Sequence, residues 1–598
     1  FLLPKIDLCP QAELYVNCVN GSWFSHAMGE VRLLQGSSAH LDTYFNGFSV
    51  GKWRRHTGVK HIVVRFEARG HFEAELVLNH AHRAASTVAA GVFSSEARSW
   101  FELEPPSLDD LADGQLYLKI RGLGPETTFF GGEITTDSPP ARAVALGVVI
   151  TTYNRPEYLE RNLVRLADAL KEEPGYVELL DILVVDNGSN VEVSLPATIP
   201  ITVVPNRNLG GAGGFARGLM HFRDGGKVSH VLFMDDDISF EPEVIFRTIE
   251  LLAHARDPQL CVAGAMLMEE TPYVQFEAGA AFRTEGVRPF RPIGSHLDLR
   301  SWRNLVENDV ERPAGYGAWW YYAFPLALAE ANPLPVFVRG DDICFGLRHT
   351  GQHTVTLNGI GVWHQHFAQK NGPAAFYYES RNLSLVSLLA SDRFSAFHLT
   401  RRFVYHTTRM ALAMKYDTAA ADIAGMRQFL AGPEAWLELD HEQVNHDIRQ
   451  HPGERSGPLE RPSLGVPSFT PRWPVVVKIG GLASALVLSG HALPARLCRR
   501  PPVALEMAAW SPYGVLGREE VVYRYEATGE GFVARRDRKR FFSTLGEMAR
   551  TAARIPSRFG QLRDDYRAAY PALTGDAYWQ RQFGGDAPSD AHEARRPE

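Results

Sequence analysis

The chain has 598 residues, which is too long for one ordinary hydrophobic core and indicates about three or four domains. An apolar fraction of 45% and a charged fraction of 22% are those of a folded globular protein and exclude a largely disordered chain. The net charge is only −7 with both signs mixed along the chain, which argues against the concentrated basic face of a nucleic-acid-binding protein.

Residues 1–140 predict an all-β domain, a sandwich or jelly roll. Short alternating or β-branched runs are separated by Gly, Pro and Asn, which is typical of strands joined by turns. These runs are YFNGFSVGKWRRH, KHIVVRFEARG, HFEAELVLNHA, SWFELEPP and GQLYLKIRGLG. The segment TTDSPPARA then predicts a linker.

Residues 141–395 predict an α/β domain with a parallel sheet, because buried strands alternate with helices. The predicted helices are Pro156–Lys171 and Gly213–Arg223, and the predicted strands are LGVVITTYN, LLDILVVDNGS, IPITVVPN and HVLFMDDD. Open parallel sheets bind ligands outside the carboxyl ends of their strands, so the polar residues at those ends are candidate nucleotide contacts.

Residues 396–598 predict a helical domain that contains a Pro-rich break and one apolar stretch, Val475–Leu493. This stretch is shorter than a membrane span and is broken by glycine, which favours a buried helix. The alternative is a helix lying on a membrane surface, with Arg496, Arg499 and Arg500 on anionic head groups.

The cysteines and the first residues indicate a cytoplasmic protein. The five cysteines show no CxxC spacing, so free thiols in a reducing compartment are the simplest interpretation, with a Cys9–Cys18 pair as the alternative. No secretory leader is recognisable in FLLPKIDLCPQ. The expected location is the cytoplasm, with peripheral contact at the inner face of the cytoplasmic membrane if the surface helix forms.

Asp235, Asp236 and Asp237 directly follow the predicted strand HVLFM. Side chains alternate along an extended chain, so the first and third carboxylates can point the same way and share one divalent cation. Hard oxygen ligands suit Mg²⁺ or Mn²⁺, which would bridge a pyrophosphate. The alternative is a solvated loop or a helix cap, although three acids behind a buried strand repel one another without a cation.

A glycine-rich turn, Gly211–Ala216, fits the pattern GxGxxA of dinucleotide-binding proteins. That fingerprint normally occupies the first strand–helix turn of its fold, whereas two strand–helix units precede it here. The turn therefore favours a nucleotide sugar over a dehydrogenase cofactor.

Three further groups complete the candidate site. Asp341 and Asp342 precede a predicted helix and could supply the base that takes a proton from an acceptor hydroxyl, or could cap that helix. His364, after a short strand, is either a metal ligand or a structural histidine. Trp319 and Trp320 are either core residues or a platform for sugar rings.

These motifs together resemble the family 2 glycosyltransferases, and most closely the polymerising galactofuranosyltransferases of the mycobacterial galactan. The motifs TTYNRP, VVDNGS, NRNLGGAGGFARG, FMDDD, AWWYY, RGDDICFGLR, VWH and YYESRN occur in the same order as in that family. The resemblance covers most of the chain. It implies a GT-A catalytic domain and an inverting, metal-dependent transfer from UDP-galactofuranose to a growing glycan or lipid-linked glycan.

The resemblance also implies roles for individual residues. The nucleotide contacts would be Thr152, Arg155, Asp186, Asn208, Asp235 and Asp236. The cation would be held by Asp235, Asp237 and His364. Asp342 would be the base, and the acceptor would contact Trp319, Trp320 and Asp341. The chain has Cys344 where related enzymes often carry a third acid after the Asp pair.

Two other functions remain as alternatives. The first is transfer of a different sugar, such as rhamnose. The second is non-catalytic carbohydrate binding, for which the N-terminal β domain is the natural candidate, although an intact metal and base set favours an enzyme. The expected partners are a UDP-sugar donor and a glycan acceptor, with self-association as a further option.

Overall fold

The computed structural model describes residues 1–191, 199–367, 372–450, 453–460, 463, 465–469, 484–507, 512–526 and 528–584. All five cysteines lie in these ranges and are free, as the sequence favours.

The N-terminal region is dominated by one nine-stranded antiparallel sheet within the fully described span 1–191. Its strands are β1 (Asn17–Val19), β2 (Trp23–Ser25), β3 (Glu30–Leu34), β4 (Ser38–His40), β5 (Phe48–Ser49), β6 (Val63–Asn79), β7 (Ser86–Leu103), β8 (Gln115–Gly122) and β9 (Glu126–Thr135). Strand β6 is long enough to pair with β7 on one side and with β9 and then β8 on the other. These strands agree with the predicted abundance of β-structure in this region, whereas the sandwich or jelly-roll domain and the boundary at 140 stay predictions.

One predicted strand in this region is wrong, because the end of YFNGFSVGKWRRH forms helix α1 (Val50–His56). Ser49 has extended backbone dihedrals, and its hydroxyl accepts a hydrogen bond from the backbone N–H of Lys52. This is the arrangement of a helix N-cap, and it ends the strand after two residues.

The central region contains a seven-stranded sheet, counted over the described part of the chain. Its strands are β10 (Leu146–Thr152), β11 (Leu180–Asp186), β12 (Ile201–Pro205), β13 (His230–Asp235), β15 (Cys261–Ala263), β21 (Tyr321–Pro325) and β22 (Thr354–Val355). The order is β12-β11-β10-β13-β21-β15-β22, in which the first four strands are parallel and β21 is antiparallel to its neighbours. The four strands predicted from the sequence are therefore confirmed as one parallel block.

Five helices accompany this sheet in the described residues: α2 (Pro156–Glu172), α3 (Gly210–Gly225), α4 (Glu243–His254), α5 (Trp302–Asp309) and α6 (Asp341–Phe345). A second sheet is formed by strands that follow β13 in the sequence, in the order β14-β23-β16-β17-β20. Its strands are β14 (Ile238–Phe240), β16 (Ala265–Met268), β17 (Thr271–Glu277), β20 (Leu297–Asp298) and β23 (Gly361–His364). A two-stranded hairpin, β18 (Ala280–Phe282) and β19 (Phe290–Pro292), follows β17.

The glycine-rich turn serves close packing of α3 on the sheet. A Cβ on Gly214 would lie 2.2 Å from Cγ2 of Thr151, and one on Gly218 would lie 2.3 Å from Cγ1 of Val149. Only glycine at these positions lets the helix lie this near to β10. Helix–strand packing accounts for Gly214 and Gly218, neither of which is a glycine of the GxGxxA pattern.

We expect Gly218→Ala to lower the free energy of unfolding by about 1–3 kcal/mol, because the added methyl group overpacks the contact with Val149. Gly225→Ala, at the other end of α3, is the matched control. No heavy atom lies within 4 Å of its added Cβ, so it should leave stability unchanged or raise it by up to ~1 kcal/mol. Denaturant unfolding measures both, and equal stabilities would contradict the packing argument.

The C-terminal region is largely helical. Its helices are α7 (Pro373–Ala390), α8 (Ala396–Leu412), α9 (Tyr416–Ala431), α10 (Pro433–Leu437), α11 (His441–Gln450), α12 (Pro512–Val515), α13 (Arg538–Ala552), α14 (Ile555–Thr574) and α15 (Asp576–Gln582). It also holds a small sheet that the sequence interpretation missed, with strands β24 (Gly457–Pro458), β25 (Ala504–Glu506), β26 (Glu520–Arg524) and β27 (Glu530–Arg535). The runs VVYRY and GFVAR around the turn ATGE carried the hairpin signal. A purely helical C-terminal region is therefore wrong, and its boundary at 396 stays a prediction.

The apolar stretch is only partly described, because 475–483 lie outside the described residues. In the described part, Leu488–Gly490 and Ala495–Leu497 form short 3₁₀ turns on either side of Pro494. A continuous surface helix is therefore wrong for 484–500. No helix in the described ranges combines the length and the apolar character that crossing a bilayer requires.

The N-terminal region packs directly against the central region. The Tyr15 hydroxyl donates to Oε1 of the buried Glu241 over 2.9 Å, and Arg247 donates to the backbone carbonyl of Phe45 over 2.6 Å. The ring of Phe45 lies 5.5 Å from that of Trp363, the residue before His364. The β region thus supports the strand that carries the candidate histidine ligand.

Candidate active site

The predicted nucleotide and metal residues meet at one edge of the central sheet. In the parallel register, Thr151 of β10 lies opposite Asp235 of β13, and Thr152 lies opposite Asp186 of β11. The carboxyl ends of these strands therefore place their polar residues side by side, as expected for a ligand-binding edge.

Asp235, Asp237 and His364 form a compact cluster. One ligand atom from each residue lies within 4.8 Å of the others, and His364 is only 1% exposed. The cluster arises because β14 pairs antiparallel with β23, which sets His364 opposite Ile238, the residue after Asp237. The structure thus brings together the three residues proposed as metal ligands.

The hydrogen bonding of His364 fits a metal ligand. Its Nδ1 lies 2.6 Å from the backbone carbonyl oxygen of Gln365, and since a carbonyl only accepts, Nδ1 carries the proton. Nε2 faces Oδ1 of Asp237 at 3.3 Å, and in a neutral ring with its proton on Nδ1 this nitrogen presents a lone pair. Two acceptors this close repel unless a proton or a metal cation lies between them. The hydrogen bond from Nδ1 orients the ring, as is usual for a histidine that binds a metal through its other nitrogen.

Asp236 faces away from this cluster toward neighbouring side chains. The buried Thr152 donates its hydroxyl proton to Oδ2 of Asp236 at 2.7 Å, and Nη1 of Arg155 lies 3.3 Å from Oδ1. Burial raises the pKa of Asp236, and the charge of Asp237 raises it further. Asn162 on α2 donates to the carbonyls of Asp236 and Ile238, which fixes the whole acidic turn. The predicted nucleotide contacts of Thr152 and Asp236 stay predictions.

Asp186 and Asn208 shape the turns beside the acidic cluster. The carboxylate of Asp186 accepts the backbone N–H groups of Gly188, Asn190 and Val191 at 2.7–2.9 Å. The amide oxygen of Asn208 accepts the N–H of Gly210 at 3.2 Å. Both side chains therefore organise backbone in this structure, and their contacts to a nucleotide stay predictions.

The segment before the Asp pair is held by the motif ESRN on α7. Gly340 has a φ of 100°, a left-handed conformation that favours glycine. The Asn382 amide donates to the carbonyls of Val336, Val338 and Arg339 at 2.8–3.2 Å. This clamp fixes the chain that enters α6, where Asp341 and Asp342 are the first two residues. The motif YYESRN by itself does not reveal this role of Asn382.

Burial affects both carboxyl groups of the pair. It raises the pKa of Asp341 well above its ordinary range, and the charge of Asp342 raises it further. Burial raises the pKa of Asp342 to about 6, with the N–H of Ile343 opposing the shift through a 2.8 Å hydrogen bond. A pKa of about 6 leaves Asp342 charged at pH 7, so that its carboxylate can accept a proton. These shifts were not visible in the sequence.

If Asp342 is the base, kcat/KM should fall as the pH is lowered through about 6, because the carboxylate must be deprotonated to accept a proton. A plot of log(kcat/KM) against pH should approach a slope of one on the acid side. The measurement needs saturating metal at every pH, so that loss of the cation is not mistaken for titration of the base. A flat profile between pH 5 and 7 would argue against this assignment (~1 pH unit on either side of the pKa).

Glu277, at the end of β17, is a residue that sequence analysis missed. Its carboxyl is buried beside the Asp pair, and burial together with the charge of Asp342 raises its pKa to about 8. The phenol of the buried Tyr316 feels the charges of both Glu277 and Asp342, and its pKa is raised by burial first. Glu277 ends the run TPYVQFE, whose only sequence signal is that of an ordinary half-buried strand.

The two tryptophans are largely enclosed. Trp319 is 4% exposed and packs edge-on against Phe215 and Phe233, at ring distances of 5.0 and 4.9 Å. Trp320 is 6% exposed, and its indole N–H donates to the carbonyl of Gly264 at 2.9 Å. Neither ring offers an open stacking face here, which favours the core alternative, while their contact with an acceptor stays a prediction.

Cys344 points into the core. Its side chain is 2% exposed and belongs to a buried apolar cluster with Ile343 and Leu383. Burial raises the pKa of its thiol to about 12. The position where related enzymes often carry a third acid is therefore apolar and neutral in this chain.

Three family models match separate parts of the chain. Residues 13–121 match the galactofuranosyltransferase 2 N-terminal model, 147–272 match glycosyl transferase family 2, and 399–585 match galactofuranosyltransferase-2 domain 3. The family 2 match covers the strands that end in the candidate site.

Two curated relatives align over most of the chain. Galactofuranosyltransferase GlfT2 of Mycolicibacterium smegmatis is 28% identical, and the alignment covers 91% of this chain and 88% of the relative. The protein of the same name from Mycobacterium tuberculosis is 27% identical, with 93% and 92% covered. The resemblance drawn from the motifs is confirmed.

Among solved structures, the chain overlaps in part with GalNAc-T7, crystallised with UDP, GalNAc and Mn²⁺. The sequence identity is 12%, the TM-score is 0.33, and 52% of this chain and 58% of that chain are covered. Glucosyl-3-phosphoglycerate synthase of Mycobacterium tuberculosis overlaps with 41% of this chain and 79% of its own, at 15% identity and a TM-score of 0.26.

Proposed function

We propose that this chain, which is similar to the galactofuranosyltransferases and contains a region that matches glycosyl transferase family 2, transfers galactofuranose from UDP-galactofuranose to a hydroxyl of a growing glycan. The observation that carries the proposal is the compact cluster of Asp235, Asp237 and His364 at the carboxyl end of β13. The charge of Asp235 contributes to the raised pKa of Asp341, which indicates that these two carboxyl groups lie near each other.

A divalent cation fits the donor set of Asp235, Asp237 and His364. When bound, it would neutralise the pyrophosphate of the donor and stabilise UDP as a leaving group. Two carboxylates suit Mg²⁺ and Mn²⁺ alike, whereas an imidazole ligand favours Mn²⁺. We therefore propose Mn²⁺ as the better cofactor.

The donor nucleotide would lie along the carboxyl ends of β10, β11 and β13. Arg155, at the start of α2, presents a guanidinium that is suited to a phosphate. Asp186 and Asn208 fix the backbone of the turns on either side, so that their N–H groups and side chains form one wall of the nucleotide site. Asp236 accepts hydrogen bonds from Thr152 and Arg155 beside this site.

Asp342 would act as the base. Its carboxylate accepts the proton of the acceptor hydroxyl while that oxygen attacks the anomeric carbon from the face opposite to UDP, so that the configuration inverts. Burial raises the pKa of Asp341 well above its ordinary range, which favours the protonated form that can donate a hydrogen bond to the acceptor. The clamp by Asn382 keeps the pair in a fixed position, which matters because proton transfer requires hydrogen-bond contact.

The donor sugar is tested by a panel of UDP-galactofuranose, UDP-galactopyranose and dTDP-rhamnose with one oligosaccharide acceptor. We expect acceptor-dependent release of UDP from the galactofuranose donor and little release from the other two. Preferential release of dTDP would establish the rhamnose alternative instead. Carbohydrate binding with no release from any donor would indicate a non-catalytic protein.

A further inference from the structure

The guanidinium of Arg155 contacts two of the three carboxylates in the run Asp235–Asp237. Its Nη1 is 2.5 Å from Oδ2 of Asp237 and 3.3 Å from Oδ1 of Asp236. The other carboxylate oxygen of Asp237, Oδ1, faces Nε2 of His364 at 3.3 Å. Asp237, one of the proposed metal ligands, therefore contacts the guanidinium of Arg155 through one oxygen and faces the proposed metal position with the other.

Arg155 can leave this position without a change of fold. Its backbone immediately precedes α2, where Pro156 occupies the first turn, so the main chain is fixed. Its side chain is 42% exposed, while those of Asp236 and Asp237 are 6% and 10% exposed. The buried carboxylates are therefore the stationary partners, and the half-exposed guanidinium is the mobile one.

A divalent metal ion and the Arg155 guanidinium would repel each other if both were bound to Asp237. A divalent ion on Asp237 Oδ1 and a guanidinium on Oδ2 of the same carboxylate carry like charges a few ångströms apart, in a site where water screens poorly. A pyrophosphate changes this balance, because it offers Arg155 an alternative anion and brings negative charge to the metal.

We propose that Arg155 is an internal counter-cation that competes with the divalent metal for Asp237 in the nucleotide-free protein and moves to the donor pyrophosphate when the donor binds. This inference rests on the proposed metal site. It makes metal binding and donor binding cooperative, since each ligand removes an obstacle to the other, and linkage requires the effect to be reciprocal. A variant with a neutral side chain in place of Arg155 should therefore bind the metal more tightly, although it has lost a contact to the donor.

The test is calorimetric titration of Mn²⁺ into the full-length protein without nucleotide, comparing wild type with Arg155→Gln. We expect the variant to bind Mn²⁺ about tenfold more tightly, within the usual range of coupling between sites. A second titration, with UDP into Mn²⁺-saturated protein, should show weaker binding to the variant. These opposite shifts separate a competing cation from a residue that only contacts the nucleotide, which would change the second affinity alone.

Lys171→Gln is the matched control, because it removes one positive charge from the exposed far end of the same helix. It should leave the Mn²⁺ affinity within about twofold of wild type, since exposed charges beyond a Debye length are screened. Equal or weaker Mn²⁺ binding by Arg155→Gln would overturn the inference while leaving the metal site intact. Absence of Mn²⁺ binding in every protein would overturn both.

Discussion

Asp342→Asn should lower kcat by about 10²–10⁴-fold, because a general base contributes a factor of that size. The change is nearly isosteric and removes only the ability to accept a proton. Binding of the donor should survive, since the nucleotide contacts and the metal cluster lie on β10, β11, β13 and β23. The measurement is the initial rate of acceptor elongation, with UDP affinity determined separately by calorimetry.

Asp341→Asn is the informative comparison for this variant. Burial raises the pKa of Asp341 well above its ordinary range, which favours its neutral form, so a neutral amide should cost about tenfold or less, the value of roughly one hydrogen bond. A severe loss in Asp341→Asn with near-normal turnover in Asp342→Asn would reverse the assignment. Near-normal turnover in both would leave the pair as a helix start and place the base elsewhere.

Asp237→Asn should reduce transfer at limiting Mn²⁺ by more than about 100-fold, since even residues that only orient a ligand are worth 10–100-fold in metal affinity. The amide retains one oxygen, but it loses the charge that balances the cation. Excess chelator should abolish transfer by the wild type, and added Mn²⁺ should restore it. Direct titration of Mn²⁺ distinguishes lost metal binding from lost chemistry.

Asp168→Asn is the control for that substitution, because Asp168 is an exposed acid on α2 whose partner is Lys171 of the same helix. It should leave both activity and Mn²⁺ binding unchanged. Full activity of the wild type in excess chelator would contradict metal dependence. So would an Asp237→Asn protein with the Mn²⁺ affinity of the wild type.

The fold was predictable where the pattern of apolar residues is local. The four parallel strands and helices α2 and α3 stand out because each strand is continuously apolar and each is followed by a turn. The strand predicted over VGKWRRH was wrong, because Ser49 caps a helix at a point where the neighbouring residues favour a strand. The hairpin β26–β27 was overlooked among helices, although its alternation and turn are present in the sequence.

The candidate site was predictable only in part. Asp235, Asp236 and Asp237 are evident as a run, but His364 joins them through the register of β14 and β23, which no local pattern reveals. Family resemblance favoured His364 as a ligand and Asp342 as the base, and the pKa of about 6 for Asp342 is compatible with that role. Glu277 has no sequence signal, because its position near Asp342 depends on tertiary structure and not on a local pattern.

The most direct test of the central claim is elongation of a short galactofuranosyl oligosaccharide with UDP-galactofuranose and Mn²⁺, followed by mass spectrometry and NMR of the product. The account predicts products longer by one or more hexose units, with an anomeric configuration opposite to that of the donor and no product in excess chelator. Products of retained configuration would contradict a single displacement assisted by Asp342. Elongation that proceeds unchanged in chelator would contradict the role of Asp235, Asp237 and His364.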